Sequence, residues 1–205
     1  MRLSDFDYHL PAAAIAQAPL DERDASRMMV VLREGARVED RLFRHIDTYL
    51  GPGDVLVVND SRVIPARLSG MKATGSNVEI LLLKRRDRGE DPLWASWDCL
   101  LKPGKRMRQG VSLHFDEDGA ATVTQRLTDK TWRLDFSTRV PFDEFLRIRG
   151  TAPLPPYIKR KNAPSPVNDL ERYQTVYARV PGSVAAPTAG FHFTPPVLEA
   201  LKRKG

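Results

Sequence analysis

Between about residue 66 and residue 138 the side chains alternate in character at period two, and this stretch limits the fold more than any other part of the chain. Leu93, Ala95, Trp97, Cys99 and Leu101 alternate with more polar neighbours, as do Val111, Leu113 and Phe115, and again Trp132, Leu134 and Phe136. Successive side chains on a strand point to opposite faces, so the pattern marks strands with one buried face. Together with Arg62 to Lys72, Val78 to Lys84 and Ala121 to Leu127, it predicts about six strands. Turn residues separate them at Lys102-Pro103-Gly104, Asp116-Glu117-Asp118-Gly119 and Thr128-Asp129-Lys130. Short antiparallel strands with no helix between them lose their exposed edges by closing, which predicts a small barrel.

The flanks read differently. Ala12 to Gln17, opened by Pro11, reads as a short helix, Met28 to Leu32 as a strand, and Leu42 to Leu50 as a helix ended by Gly51-Pro52-Gly53. Val55 to Val58 is a continuous apolar run, the mark of a strand buried on both faces. Beyond the barrel, Phe142, Phe145, Leu146 and Ile148 behind Pro141 predict a helix to Gly150. Asn168 and Glu171 form a capping box for a helix carrying Arg172 to about Tyr177. Thr194-Pro195 starts a last helix with Val197, Leu198 and Leu201 on one face and Gly205 as its cap. The expected fold class is mixed α+β: an α/β domain built from residues 1–65 and 139–205, with a small six-stranded antiparallel β-barrel inserted at 66–138. An amphipathic helix at the chain end and a strand needing parallel neighbours both call for more polypeptide, so a piece of a longer protein is expected.

Composition excludes several classes. Hydrophobic residues make up 41% and charged residues 28%, which describes a globular chain and not a disordered one. The apolar runs are too short to span a bilayer, and Asp5 and Asp7 interrupt any signal-like segment, so a soluble, cytoplasmic protein is expected. Cys99 is the single cysteine, and His9, His45 and His114 lack ligand spacing, so no disulfide and no metal site are expected. Lysine and arginine outnumber aspartate and glutamate 32 to 26, a formal charge of +6 that favours a polyanionic partner. The cations cluster at Lys84-Arg85-Arg86 with Arg88, at Lys102, Lys105, Arg106 and Arg108, and at Lys159-Arg160-Lys161. Taken alone, these clusters read equally well as solvated loop tips.

Four segments can carry chemistry. Asn59-Asp60-Ser61-Arg62 follows the apolar run, where open α/β sheets place ligands; Asn59 and Ser61 can hydrogen-bond, and Arg62 and Arg67 can hold a carboxylate or phosphate. Local pattern by itself favours a simple Asx turn there. Pro153 to Lys161 presents Tyr157 beside three cations on a stiff backbone, which suits either base stacking or a rigid strap. Tyr173 and Tyr177, four apart, fall on one helix face, where phenols usually pack. Ala185 to Gly190 is nearly free of bulk, and His192 stands just ahead of a helix start, where it can take or give a proton or serve as a structural histidine.

Asn59 to Leu68, Pro153 to Ile158, Arg172 to Tyr177 and Gly182 to Thr194 stand in the order and spacing of one family, and Asp5 to Pro11 is similar to that family's start. The chain resembles the S-adenosylmethionine:tRNA ribosyltransferase-isomerase (QueA) family along its whole length. The resemblance implies an α/β domain with an inserted six-stranded barrel and a role in queuosine biosynthesis. It further implies transfer of the ribosyl part of S-adenosylmethionine, a co-substrate and not a prosthetic group, to 7-aminomethyl-7-deazaguanine at the tRNA wobble position. The resemblance implies that epoxyqueuosine forms and that adenine and methionine are released. His192 is then the first candidate base, with Tyr157 and Tyr173 as further catalytic candidates. Asn59, Ser61, Arg62, Arg67, Arg160, Gln174, Thr188 and Gly190 are candidate substrate contacts, and Lys105, Arg106, Arg108, Lys159 and Lys161 candidate tRNA contacts. The chain departs from the family at its C-terminal end, since family members continue well beyond the point matching residue 205, through further motifs, and a monomer acting on tRNA is expected. A non-catalytic RNA-binding module is the alternative. An ordinary methyltransferase is disfavoured, because no Gly-rich loop joins a strand to a helix start.

Overall fold

The first two strands of the chain are joined by a tight turn that needs its glycine. Gly35, at φ 78°, lets β1 (Arg27–Leu32) reverse into β2 (Arg37–Leu42) as an antiparallel pair in register from Arg27↔Leu42 to Leu32↔Arg37. The computed structural model describes residues 1–87, 90–104, 107–160 and 168–205, which divide into two units. One comprises Met1–Leu56, Leu154–Asn168 and His192–Gly205; the other comprises Val57–Pro153 and Asp169–Phe191.

In the first unit the two helices expected early in the chain are 3-10 turns, at Ala12–Ala14 and Phe43–Tyr49. The first run is too short to nucleate an α-helix and meets Pro19. The second is rich in aromatic and β-branched residues and breaks at His45, whose backbone is non-helical. The expected strand at Val55 to Val58 is absent. Those residues are exposed, Val55 by 86% and Val57 by 87%, and no described strand pairs with them. An apolar run supplies one side of a buried ladder only; without neighbours its backbone has nothing to bond.

The second unit opens with β3 (Ser61–Val63), and the barrel follows: β4 (Arg67–Lys72), β5 (Asn77–Arg85), β6 (Trp94–Lys102), β7 (Ser112–His114), β8 (Gly119–Arg126) and β9 (Thr131–Thr138). It is closed in the order β4-β5-β6-β9-β8-β7, with Met71↔His114 and Lys72↔Leu113 sealing it. Most of the alternation resolves as expected: Ala95, Trp97, Cys99 and Leu101 are buried, as are Trp132, Leu134 and Phe136. Leu93 departs from it, lying ahead of β6 and exposed, and the alternate residues Ser96 and Asp98 are buried as well, so β6 is covered on both faces there. One expected strand is two. Pro65 lacks an amide donor, and the chain leaves β3 and re-enters in the barrel as β4.

Helix α1 (Phe142–Arg149) plugs one end of the barrel. Phe142 lies 5.3 Å from Phe136 and 6.1 Å from Trp97, ring to ring, and Phe145 lies 5.1 Å from Phe115. Ile148, expected on the same face, is 55% exposed, because it falls off the stripe that Phe142, Phe145 and Leu146 define at helical spacing. Helix α2 (Asp169–Arg172) stops well before Tyr177, so Tyr173 and Tyr177 do not share a helix face. Thr175 and Val176 are poor helix formers, and the Gln174 side chain is drawn instead to the backbone of Val63. The chain then forms β10 (Val180–Ser183), parallel to β3 with Val180 opposite Ser61.

The C-terminal helix of the first unit, α3 (Pro195–Lys204), forms as expected between Thr194 and Gly205. Val197 is buried, and the ring of neighbouring Phe193 meets that of Phe43 edge-on at 4.9 Å. Among the described residues no helix is long and apolar enough to cross a membrane.

Candidate functional site

In the second unit the parallel pair β3–β10 is the frame on which three loops converge. Asn59 Oδ1 accepts from the Ser61 amide at 2.9 Å and from its hydroxyl at 2.6 Å, which sets the turn into β3. Asp60 accepts from Arg179 Nε at 3.0 Å and Nη2 at 2.7 Å, and the carbonyl of Asp60 accepts the Arg179 amide at 2.7 Å. Gln174 continues the ladder from the side: its carbonyl oxygen accepts from Val63 N–H at 2.9 Å and its amide donates to the Val63 carbonyl at 2.6 Å. Arg62, between these residues, is exposed.

The low-bulk segment sits against the turn after α2. Gly190 is buried, with its amide donating to the Pro187 carbonyl at 2.8 Å. A Cβ there would lie 2.3 Å from the Tyr177 hydroxyl oxygen and 2.8 Å from Thr175 Cγ2, so the loop reaches this depth only as glycine. Tyr173 meets Phe191 edge-on at 5.3 Å. Burial pushes the Tyr177 phenol above its ordinary value. The Thr175 hydroxyl is buried with no hydrogen-bond partner among the described residues, the kind of group that native proteins rarely leave so. Thr188 and Ala189, by contrast, are exposed.

In the first unit Gln17 organises the proline-rich segment. Its side-chain amide donates to the Tyr157 carbonyl at 3.0 Å, its oxygen accepts from Lys159 N–H at 2.8 Å, and its backbone carbonyl accepts from Arg160 Nη1 at 2.7 Å. Tyr157 is 52% exposed. His192, half-buried, ends the 3-10 turn Thr188–His192; its Nδ1 lies 3.3 Å from the Arg23 carbonyl and its ring 5.3 Å from Phe43. With the proton on Nδ1 donated to that carbonyl, Nε2 keeps the lone pair a base requires. Thr194 ties the same region down by donating to Asp24 at 2.9 Å.

Asn59, Ser61, Arg62, Tyr173, Gln174, Thr188 and Gly190 thus belong to the second unit, and Tyr157, Lys159, Arg160 and His192 to the first. Arg67 is on the barrel, 2.5 Å from the Glu79 carboxylate, and Arg108 is exposed in the loop between β6 and β7. Arg88, Lys105, Arg106 and Lys161 lie outside the described residues. Gln17, Thr175 and Arg179 were not singled out by sequence reasoning, and Asp60 and Tyr177 were named only as members of their segments. The Asn-Asp-Ser-Arg run pointed at the neighbourhood of Asp60, but nothing local marks a partner far along the chain. Among the described residues no cluster of three His, Cys, Asp or Glu side chains is placed to hold a metal ion.

Comparison with known proteins identifies the family of the chain. The family model for queuosine biosynthesis proteins matches residues 3–205. An S-adenosylmethionine:tRNA ribosyltransferase-isomerase of Syntrophus aciditrophicus (strain SB) is 51% identical, covering 98% of this chain and 60% of that protein. One from Thermotoga petrophila is 50% identical, covering 100% of this chain and 57% of its own length. A crystal structure of S-adenosylmethionine tRNA ribosyltransferase from Thermotoga maritima shares 37% identity over 98% of this chain and 54% of its own, with a TM-score of 0.35, too low for the superposition to bear on the fold. The chain therefore spans about 57 to 60% of the length of these curated relatives. On a match that runs almost end to end, the chain belongs to the queuosine biosynthesis protein family.

Proposed function

We propose that this chain contributes to the transfer and isomerisation of the ribosyl group of S-adenosylmethionine onto 7-aminomethyl-7-deazaguanine in tRNA, yielding epoxyqueuosine, adenine and methionine. The observation that carries the reading is identity near 50% over the whole chain to proteins named for that transfer. The sulfonium activates the ribose C5′, and a base must take a proton from that carbon or from the incoming aminomethyl ammonium. His192 is the base in this reading, oriented through Nδ1 by the Arg23 carbonyl; Tyr157 and Tyr173 are the alternatives. Arg62, Arg67 and Arg160 are the candidates for the methionine carboxylate or a phosphate, and Ser61, Thr188 and the Gly190 backbone for substrate hydroxyls. Asn59 and Gln174 support them by fixing β3. Arg108 and Lys159 are the candidates for tRNA contacts, and so are Lys105, Arg106 and Lys161, which lie outside the described residues.

Incubating the chain with S-adenosylmethionine and tRNA bearing the deazaguanine base tests this directly: free adenine and methionine are expected. S-adenosylhomocysteine instead would make the protein a methyltransferase. The chain's span of 57 to 60% of its relatives favours a second reading, an RNA-binding piece without a complete reaction centre. Retention of tRNA with no adenine released selects it.

A further inference from the structure

The barrel is electrically polarised along its axis. Its register brings the C-terminal ends of β4, β6 and β8 together with the N-terminal ends of β5, β7 and β9 at the end away from α1. The loops there carry Lys72, Lys102, Arg108, Arg126 and Lys130, against the single carboxylate of Asp129 among the described residues. Glu79, opposite Lys102 in the register, gives its carboxylate to Arg67. At the α1 end the balance is reversed: Asp87, Glu90, Asp91, Asp116, Glu117 and Asp118 accompany the arginines. Arg85 pairs with Asp87 at 3.0 Å and Arg149 with Asp116 at 2.8 Å.

The cations of the end away from α1 are not neutralised in this way. Arg126 makes an exposed pair with Asp129 at 3.2 Å and lies 5.5 Å over the Trp132 ring, which holds it in place. Lys72, Lys102, Arg108 and Lys130 form no ion pair with a described residue. Converging like charges repel one another, and a polyanion that releases its counterions on contact relieves that repulsion. The loop tips carry Thr74, Ser76, Asn77 and Thr128, side chains able to donate to phosphate oxygens, where a membrane-binding surface needs large apolar anchors.

We propose that this basic end of the barrel docks the phosphate backbone of the RNA substrate, sensing charge and spacing and not base sequence. The proposal rests on the tRNA-modifying reading given above and assigns Lys72, Lys102, Arg126 and Lys130 to it as backbone contacts. The test compares two double charge reversals of equal net change in the 205-residue chain. One is Lys72→Glu with Lys130→Glu; the other, on exposed arginines at the α1 end, is Arg139→Glu with Arg147→Glu. Binding of an in vitro transcribed tRNA is measured over a salt series, with circular dichroism melts to confirm folding. The Lys72/Lys130 variant is expected to bind about tenfold more weakly or worse and to lose roughly 2 from the salt slope, while the α1-end variant stays within about twofold of the parent. Equal losses in both variants, or none in either, overturn the proposal while leaving tRNA as the substrate. If the parent binds no tRNA but binds vesicles rich in anionic lipid through the same lysines, both the proposal and the tRNA reading fall.

Discussion

Gln174 holds Val63 by both of its backbone polar groups, accepting from the amide at 2.9 Å and donating to the carbonyl at 2.6 Å. A side chain thereby does what a neighbouring strand would do for β3, and it does so next to the β10 pairing that anchors the low-bulk loop. Gln174→Ala leaves a half-buried donor and acceptor unmatched and is expected to cost about 1–3 kcal/mol in urea denaturation. The Gln174→Glu variant keeps the acceptor but loses the donor, so it should be destabilised as well. Unchanged midpoints for both variants would show that the clamp holds nothing.

Gly190 is expected to be intolerant of even one methyl group. Gly190→Ala sets a carbon 2.3 Å from the Tyr177 hydroxyl oxygen and 2.8 Å from Thr175 Cγ2, and should cost about 1–3 kcal/mol. Removing the hydroxyl in Gly190→Ala/Tyr177→Phe relieves the closer contact. The double-mutant cycle should therefore show coupling of at least about 0.5 kcal/mol, and simple additivity would contradict the contact.

Asp98 on β6 predicts an acid-side loss of stability. Burial works to raise its carboxyl, but hydrogen bonds from Arg86 and Arg133, helped by their charges, outweigh it and hold the group below the ordinary carboxylate value. A depressed native pKa adds stability above the unfolded value of about 3.9, and that contribution fades as pH falls from there through the native value. Both arginines are partly exposed, so Asp98→Asn should cost only about 1–2 kcal/mol at pH 7. The gap between parent and variant should narrow below about pH 4, as read from chemical denaturation at a series of pH values. A gap of constant size would remove the carboxylate from the explanation.

His192→Gln separates the proposed base from a structural histidine. Glutamine can still donate to the Arg23 carbonyl, 3.3 Å from Nδ1, but has no lone pair of suitable basicity. Adenine release, measured at this position or at its counterpart in a full-length relative, is expected to fall about a hundredfold or more with little change in melting temperature. Near-normal turnover would transfer the role to Tyr157 or Tyr173.

The barrel was legible in the sequence because its cause is local. Period-two alternation, turn residues and an interior filled by Leu82, Cys99, Leu134 and Phe136 specify a closed sheet wherever the rest of the chain goes. Helices α1 and α3 were legible for the same reason: start residues and an apolar stripe lie within one short window. The run Val55 to Val58 shows where that reasoning stops. Its composition is that of a buried strand, yet burial belongs to the neighbours and not to the run, and the described residues supply none.

The sequence by itself determined a barrel, two amphipathic helices, and a set of segments whose order marks the family. Only the tertiary structure decided which residues those segments bring together. Gln174 reaches Val63 across 111 residues and Arg179 reaches Asp60 across 119, pairings set by where the chain returns after completing the barrel. Tyr173 and Tyr177 lost their shared helix face because bonding to β3 competes with extending α2. The polarity of the barrel, too, emerged only on closure, when register brought lysines from separate loops to one end. Local pattern fixes which face of a barrel strand can turn inward; long-range pairing fixes which residues meet and whether an apolar run is covered at all.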